Sequence, residues 1–162
     1  MRVIMDDRSR ARDMLDLDEG TRPAPVLTSA EAGDLLASSR RIAIVGASAN
    51  PARPSHGVMS YLMSHGYEVV PINPNVDEVL GESAYATLEE AVAATGTFDV
   101  VDVFRRPEHT PEIARSAVAT GSGSLWLQLG VVNWDATRIA HDGGLPVVMD
   151  RCTAIEHRRI AR

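Results

Sequence analysis

Five apolar runs recur along the chain at regular spacing: IAIVG (residues 42–46), YEVVPIN (67–73), FDVVDVF (98–104), SLWLQLG (124–130) and LPVVMD (145–150). Each is β-prone and bounded by Gly, Pro, Asn or Asp, which is how strands read in a sequence. Between them the apolar period lengthens to that of helices. In SHGVMSYLMSHG, Val58, Tyr61, Leu62 and His65 fall at i, i+3, i+4 and i+7, and Gly66 is placed to stop the helix. TLEEAVAATG opens with a capping box from Thr87 to Glu90 and closes at Gly96. PEHTPEIARSAVATG carries Ile113, Ala114, Ala117 and Val118 on one side and stops at Gly121, and Asn133 is the expected cap of NWDATRIAHDGG. Ahead of the first strand, Thr28 and Glu31 make a capping box that opens TSAEAGDLLASSRR.

Strands alternating with helices predict an α/β fold, because parallel neighbours need crossover connections and these are nearly always right-handed. The expectation is a Rossmann-like doubly wound sheet of about five parallel strands, forming a single domain over residues 28–162 with its ligand crevice at the carboxyl ends of the strands. Residues 1–27 alternate acid and base and end in RPAPV, a composition that suits a poorly ordered tail or a short surface helix.

Composition narrows the function. At 162 residues the chain is one domain's worth, so a separate catalytic domain is not expected. No apolar run approaches the length of a membrane span, and charges break up the apolar residues of the N-terminus, so it does not read as a secretory signal. The single cysteine, Cys152, allows no internal disulfide and fits a reducing compartment; the expectation is a cytoplasmic protein. A net charge of -6 disfavours nucleic-acid binding through a general basic field, so an anionic ligand must be held by a few local groups.

The first turn is where such groups gather. Gly46 closes the first run, where close approach of the backbone to a ligand calls for a small residue. The following helix turns free N–H groups and the positive end of its dipole toward an anion, so a phosphate site is the default expectation. The dinucleotide fingerprint G-x-G-x-x-G is not met: Ser48 stands where the second glycine belongs, Pro51 and Pro54 stiffen the loop, and the loop is longer than usual. Asn73 ends the second run where an NAD enzyme offers an acid to the ribose, which weakens NAD without excluding it. Ser48, Asn50 and Ser55 supply hydroxyl and amide groups, Arg53 supplies a planar cation suited to phosphate, and Ser55 is the expected N-cap of the helix. Taken alone, these residues equally make a tight turn and a helix cap; their place after the first strand favours a ligand.

VGASANPARPSHGVMSYL, followed by VVPINPNVDEVLGE, VDVFRRPE, WLQLGV and VVMDRC with IEH shortly after, resembles the stand-alone CoA-binding domain family, whose members resemble the nucleotide-binding domain of succinyl-CoA synthetase alpha subunits. The likeness runs from about residue 28 to residue 160. It implies a Rossmann-like fold holding coenzyme A, with the pyrophosphate on the first turn and the adenosine across the strand ends. Carried over by position, the pyrophosphate loop is Gly46, Ala47, Ser48, Arg53, Pro54 and Ser55; Asn73, Pro74, Phe104 and Arg105 border the nucleotide, and Gln128 sits at the end of the fourth strand. CoA carries a pyrophosphate and a ribose 3′-phosphate, and it lacks the free 2′,3′-diol that rewards an acid at position 73. Arg53, Arg105 and Arg106 could supply the charge, although Arg106 also reads as an ordinary solvated residue.

Other residues invite weaker stories. Residues 46–50 almost spell the nucleophile elbow G-x-S-x-G, and Asp150 with His157 could complete a triad, but the last glycine is absent and the chain is short for a hydrolase. Cys152 follows the last strand beside Arg151, where a lowered thiol pKa and a mixed disulfide with the CoA thiol are conceivable; as a free cysteine it also reads as a small buried apolar group. The five histidines show no ligand spacing, so no metal site is expected, and His56 is expected to line the pocket. Trp126 and Trp134 read as packing residues. The resulting expectation is a module that binds CoA or an acyl-CoA, with no catalytic residues of its own and with room for a protein partner or homo-oligomer. The alternatives are an NAD(P)-dependent oxidoreductase and an acyl-CoA synthetase subunit completed by a partner chain.

Overall fold

The computed structural model describes residues 7–18 and 22–161. Its main sheet is β1 (Arg41–Val45), β2 (Glu68–Ile72), β5 (Val100–Val103), β6 (Leu125–Leu127) and β7 (Val147–Val148), all parallel in the order β2-β1-β5-β6-β7. These are the five runs read from the sequence, four of them trimmed to their paired core and the first shifted one residue back to include Arg41. All four residues of β5 are buried, as expected for a central parallel strand covered on both faces. A two-stranded hairpin that the pattern did not predict, β3 (Glu78–Val79) and β4 (Glu82–Ser83), follows β2 and turns at Leu80 and Gly81, at φ 51° and 82°. Two successive residues in the left-handed region make the turn that matches strand twist.

One layer over the sheet is α2 (Ser29–Ser38), α3 (Pro54–Ser64) and α7 (Thr153–Ile160), packing Leu36, Met59 and Leu62 against Ile42, Ile44, Val100 and Trp126. The other is α4 (Leu88–Thr95), α5 (Thr110–Ala119), preceded by the short 3₁₀ turn Pro107–His109, and α6 (Trp134–Asp142). They bury Ala91, Ala114, Ala117, Trp134 and Ala140 against Val101, Val103, Leu125 and Leu127. The expected doubly wound Rossmann-like architecture is therefore present, in the 2-1-3-4-5 variant of strand order. Buried Glu156 clasps α2 to α7: it accepts from Ser29 Oγ at 2.6 Å and pairs with Arg151 and Arg159 at 3.3 and 3.1 Å.

Local signals hold with three corrections. The Thr28 and Glu31 capping box is complete and Asn133 caps α6, but Thr87 makes only its own half of a box, accepting from Glu90 N at 3.1 Å. The helix expected to start after Ser55 starts at Pro54, with Arg53 as the cap residue, because proline is preorganised for the first helical position. Its buried stripe runs through Ser55, Met59 and Leu62, one position round from the face centred on Val58 and Tyr61. Within the segment read as a tail or surface helix, residues 1–6 and 19–21 lie outside the described residues, and α1 (Asp7–Asp18) is helical. It docks through Arg10 on Glu108 at 2.7 Å and through the Asp13 carbonyl, which accepts from Trp134 Nε1 at 3.1 Å. No helix among the described residues is long and apolar enough to cross a membrane.

Candidate ligand-binding cleft

The sheet reverses its direction of growth between β1 and β5, and a crevice opens above their carboxyl ends. Gly46 leaves β1 at φ 84°, still donating to Ile72 O at 3.0 Å, while Phe104 N donates to Val45 O at 2.8 Å. A Cβ on Gly46 would stand 2.6 Å from the Phe104 carbonyl oxygen and 3.0 Å from Arg105 Cδ. The glycine expected to admit a ligand is thus already required by the main chain of the β5 loop.

The loop that follows spends its polar groups largely on itself. Ser48 Oγ accepts from Asn50 N at 3.1 Å, Asn50 Oδ1 accepts from Ala52 N at 3.0 Å, and the Asn50 carbonyl accepts from Arg53 N at 3.0 Å. These bonds are local side-chain turns that shape the chain. Pro54 has no N–H and His56 N donates to Arg53 O, so the first turn of α3 offers a ligand fewer amides than an ordinary helix start. The amides of Ser48 and Ser55 make no hydrogen bond among the described residues. Asn73 braces the turn from the neighbouring strand: its Nδ2 donates to Ala47 O at 2.7 Å, and its Oδ1 accepts from Asn75 N at 2.8 Å. A carboxylate could not make the first of these bonds, which explains the amide where a dinucleotide site carries an acid.

The crevice has two lobes. The first, about 810 Å³, runs from Gly46 past Asn73, Pro74 and Phe104 to Glu89 and Glu112. The second, about 710 Å³, is walled by Ala47, Ser48, Pro54, Ser55 and Gln128 and by the apolar Val58, Leu129, Val131 and Ile155, with half-buried Cys152 at its edge. Both volumes are those of small-molecule sites. Gly46, Arg53, Asn73, Phe104, Arg105 and Arg106 border both lobes and so mark their junction. Arg53 and Arg106 are exposed, Arg105 is half-buried, and none of the three pairs with a carboxylate among the described residues. The eleven residues carried over by position all line this crevice, and Asn50, named for the chemistry of the loop, does not.

Beneath the second lobe lies a group that the pattern missed. Asp102, on β5, is fully buried; its Oδ1 accepts from Gln128 Nε2 at 2.6 Å and its Oδ2 accepts from Thr153 Oγ1 at 2.9 Å. Burial pushes its carboxyl up to about 7, against the two hydrogen bonds, which lower it. The available signal was one acid inside the apolar run FDVVDVF, since aspartate is almost never fully buried unless paired.

A family model described as a CoA binding domain matches residues 40–158. The chain belongs to this family. The uncharacterized protein YneT of Bacillus subtilis (strain 168) is 39% identical to it over 130 residues, which is 80% of this chain and 94% of that protein. A hypothetical protein from Pyrococcus horikoshii OT3 superposes with a TM-score of 0.78 at 36% identity, covering 84% of this chain and 94% of that one. The dinucleotide forming acetyl-coenzyme A synthetase 1 of Ca. Korarchaeum cryptofilum shares the fold, with a TM-score of 0.60 at 22% identity over 73% of this chain and 28% of that one. The resemblance read from five separated motifs therefore holds, and CoA binding is the function that family membership supports.

The competing constellations do not assemble. Asp150 Oδ1 accepts from Gly130 N at 2.6 Å, while His157 Nδ1 meets Tyr61 OH at 2.8 Å, so neither reaches Ser48 as a triad member. His56, expected in the pocket, lines neither lobe. Arg151 is engaged by Glu156 at 3.3 Å and not by the Cys152 thiol. No group of three or more His, Cys, Asp or Glu among the described residues could hold a metal.

Proposed function

We propose that the chain binds CoA or an acyl-CoA across both lobes, as a binding or regulatory module whose chemistry, if a reaction is involved, is supplied by a partner chain. The observation that carries this reading is the junction: Arg53, Arg105 and Arg106, without carboxylate partners among the described residues, line both lobes where they join in a protein of net charge -6. CoA has the matching layout, an anionic centre with adenosine on one side and a long, largely neutral arm on the other. The pyrophosphate rests against the Ser48 and Ser55 amides and the Arg53 guanidinium. Adenosine occupies the first lobe beside Asn73, Pro74 and Phe104, with its 3′-phosphate toward Arg105. The pantetheine arm follows the second lobe past Gln128, and the apolar wall there suits the arm's methyl groups or an acyl chain.

NAD(P) fits less well, since Asn73 is committed to Ala47 O and leaves the ribose diol without a carboxylate. Thermal unfolding with CoA, acetyl-CoA, NAD and NADP tests the reading. CoA at a hundred times its Kd should stabilise the protein by about 2.7 kcal/mol. A melting temperature raised by NAD and unmoved by CoA would overturn it.

A further inference from the structure

The amide of Gln128 is anchored from below and open from above. Its Nε2 donates to Asp102 Oδ1 at 2.6 Å and to Thr153 Oγ1 at 3.0 Å, and Thr153 Oγ1 in turn donates to Asp102 Oδ2 at 2.9 Å. Both Nε2 hydrogens therefore point inward. Gln128 is 4% exposed and lines the second lobe, and its Oε1 has no partner among the described residues. The outward end of the amide is thus a hydrogen-bond acceptor beside the apolar Val58, Leu129, Val131 and Ile155.

With Gln128 Nε2 donating to Oδ1 and Thr153 Oγ1 to Oδ2, this arrangement suits Asp102 as a carboxylate, which accepts at both oxygens; while Thr153 keeps its bond to Oδ2, an added proton sits on Oδ1 and faces Gln128. A protonated Asp102 needs an acceptor for its O–H. Gln128 Oε1 supplies one once the amide turns over, and the NH₂ group then faces the lobe as a donor.

We propose that Asp102 is a positioning residue for the pantetheine arm: its carboxylate holds Gln128 so that Oε1 accepts from a pantetheine amide N–H, and its protonation reverses the amide and presents a donor instead. The inference rests on the reading of the second lobe as the pantetheine channel.

The surroundings leave Asp102 free to change state. Its neighbours in the sheet are Ile44 and Trp126, and the groups bonded to it are neutral. The charged or titratable residues of the helices over this face do not contribute to its upward shift: Glu31 and Asp34 on α2, His56, Tyr61 and the capping His65 on α3, and Glu156, His157, Arg158 and Arg159 on α7, with Arg151 just before it. Burial raises the carboxyl to about 7, so both protonation states are populated near neutral pH. An arm that selects the carboxylate expels a proton to solvent as it binds.

The test is titration calorimetry of CoA with wild type and Asp102→Asn between pH 6 and 8.5, in two buffers of unlike ionisation enthalpy. Adenosine 3′,5′-bisphosphate, which lacks the arm, serves as the control. The ligand phosphates titrate alike in both proteins, so the difference between the profiles isolates Asp102. Wild type should gain roughly three- to tenfold in CoA affinity over the variant as pH rises, the worth of one hydrogen bond. It should release a fraction of a proton near pH 7, at most about half for a tenfold gain, that the variant does not, and the bisphosphate should bind both proteins equally. If Asp102→Asn does not fold, Gln128→Met carries the comparison, losing affinity for CoA and not for the bisphosphate. Identical CoA profiles, or an equal loss for the bisphosphate, would overturn the positioning role while leaving the cleft's function standing. A wild type that does not bind CoA would overturn both.

Discussion

Replacing Gly46 by alanine separates what the fold requires from what a ligand requires. At φ 84° an L-residue sits in the left-handed region, at a cost of about 1–2 kcal/mol. The new methyl would also stand 2.6 Å from the Phe104 carbonyl oxygen, closer than the 3.0 Å that real Cβ atoms keep. Arg105 Cδ, at 3.0 Å, belongs to a flexible side chain and can move away. The Phe104 carbonyl cannot do so cheaply, because the same residue's N–H is tied to Val45 O at 2.8 Å. Relief means parting β1 from the end of β5, an overpacking cost of about 1–3 kcal/mol. The sum, about 2–5 kcal/mol, is a large share of the 5–15 kcal/mol by which domains are typically stable. Urea unfolding of the ligand-free protein should show the midpoint falling at unchanged slope. A loss below about 0.5 kcal/mol without ligand, accompanied by lost CoA affinity, would refute the argument and return the glycine to the ligand.

Arg53→Ala should leave stability within about 0.5 kcal/mol, since the side chain is exposed and has no partner among the described residues, yet weaken CoA binding by about 1.5–3 kcal/mol. Unchanged affinity in calorimetry would put the phosphates elsewhere. Asn73→Asp removes the donor to Ala47 O and should cost about 1–3 kcal/mol in denaturant unfolding without creating NAD affinity; tight NAD binding by the variant would contradict the role of Asn73 as a brace. Asp102 gives a pH signature in the ligand-free protein. Its folded carboxyl lies near 7 and its unfolded one near the ordinary aspartate value of 3.8, so the folded state binds the extra proton between them and loses stability as pH rises through that window. Asp102→Asn should therefore gain on wild type from about pH 4.5 to 7.5 in urea midpoints, and a constant difference would show that the acid is not shifted.

The sheet was legible because central parallel strands are buried on both faces and leave uninterrupted apolar runs, as in residues 100–103. Helix ends were legible where a side chain does the capping, as at Thr28 and Asn133, and were misread where the backbone decides, as at Pro54. The β3 and β4 hairpin escaped notice because its strands are two residues each, too short for a period. In the cleft, the motif residues came from single segments and could be carried over singly. The apolar wall of the second lobe could not, since Val58, Leu129 and Ile155 come from three separate segments and meet only after folding. Nor does composition tell a free arginine from a committed one. Arg41 and Arg151 are held by Glu68 and Glu156, and nothing in their immediate sequence sets them apart from Arg105.

That partition of charge has a consequence for how a polyanion would lie. Glu89 and Glu112 line the first lobe alone and are not part of the arginine junction. Over the screening length of about 8 Å at physiological salt, the glutamates would repel phosphate from their part of the first lobe while the three guanidiniums would attract it to the junction. A ligand with its negative charge in the middle satisfies both demands at once, whereas one with a terminal triphosphate would have to place charge against a glutamate or leave it in solvent. The net charge of -6 sharpens the effect, because outside the junction the field of the whole protein opposes an anion. If the ligand lies across both lobes as proposed, an acidic protein would select a nucleotide by where its phosphates sit along its length, and two lobes joined at a cationic neck would favour central placement.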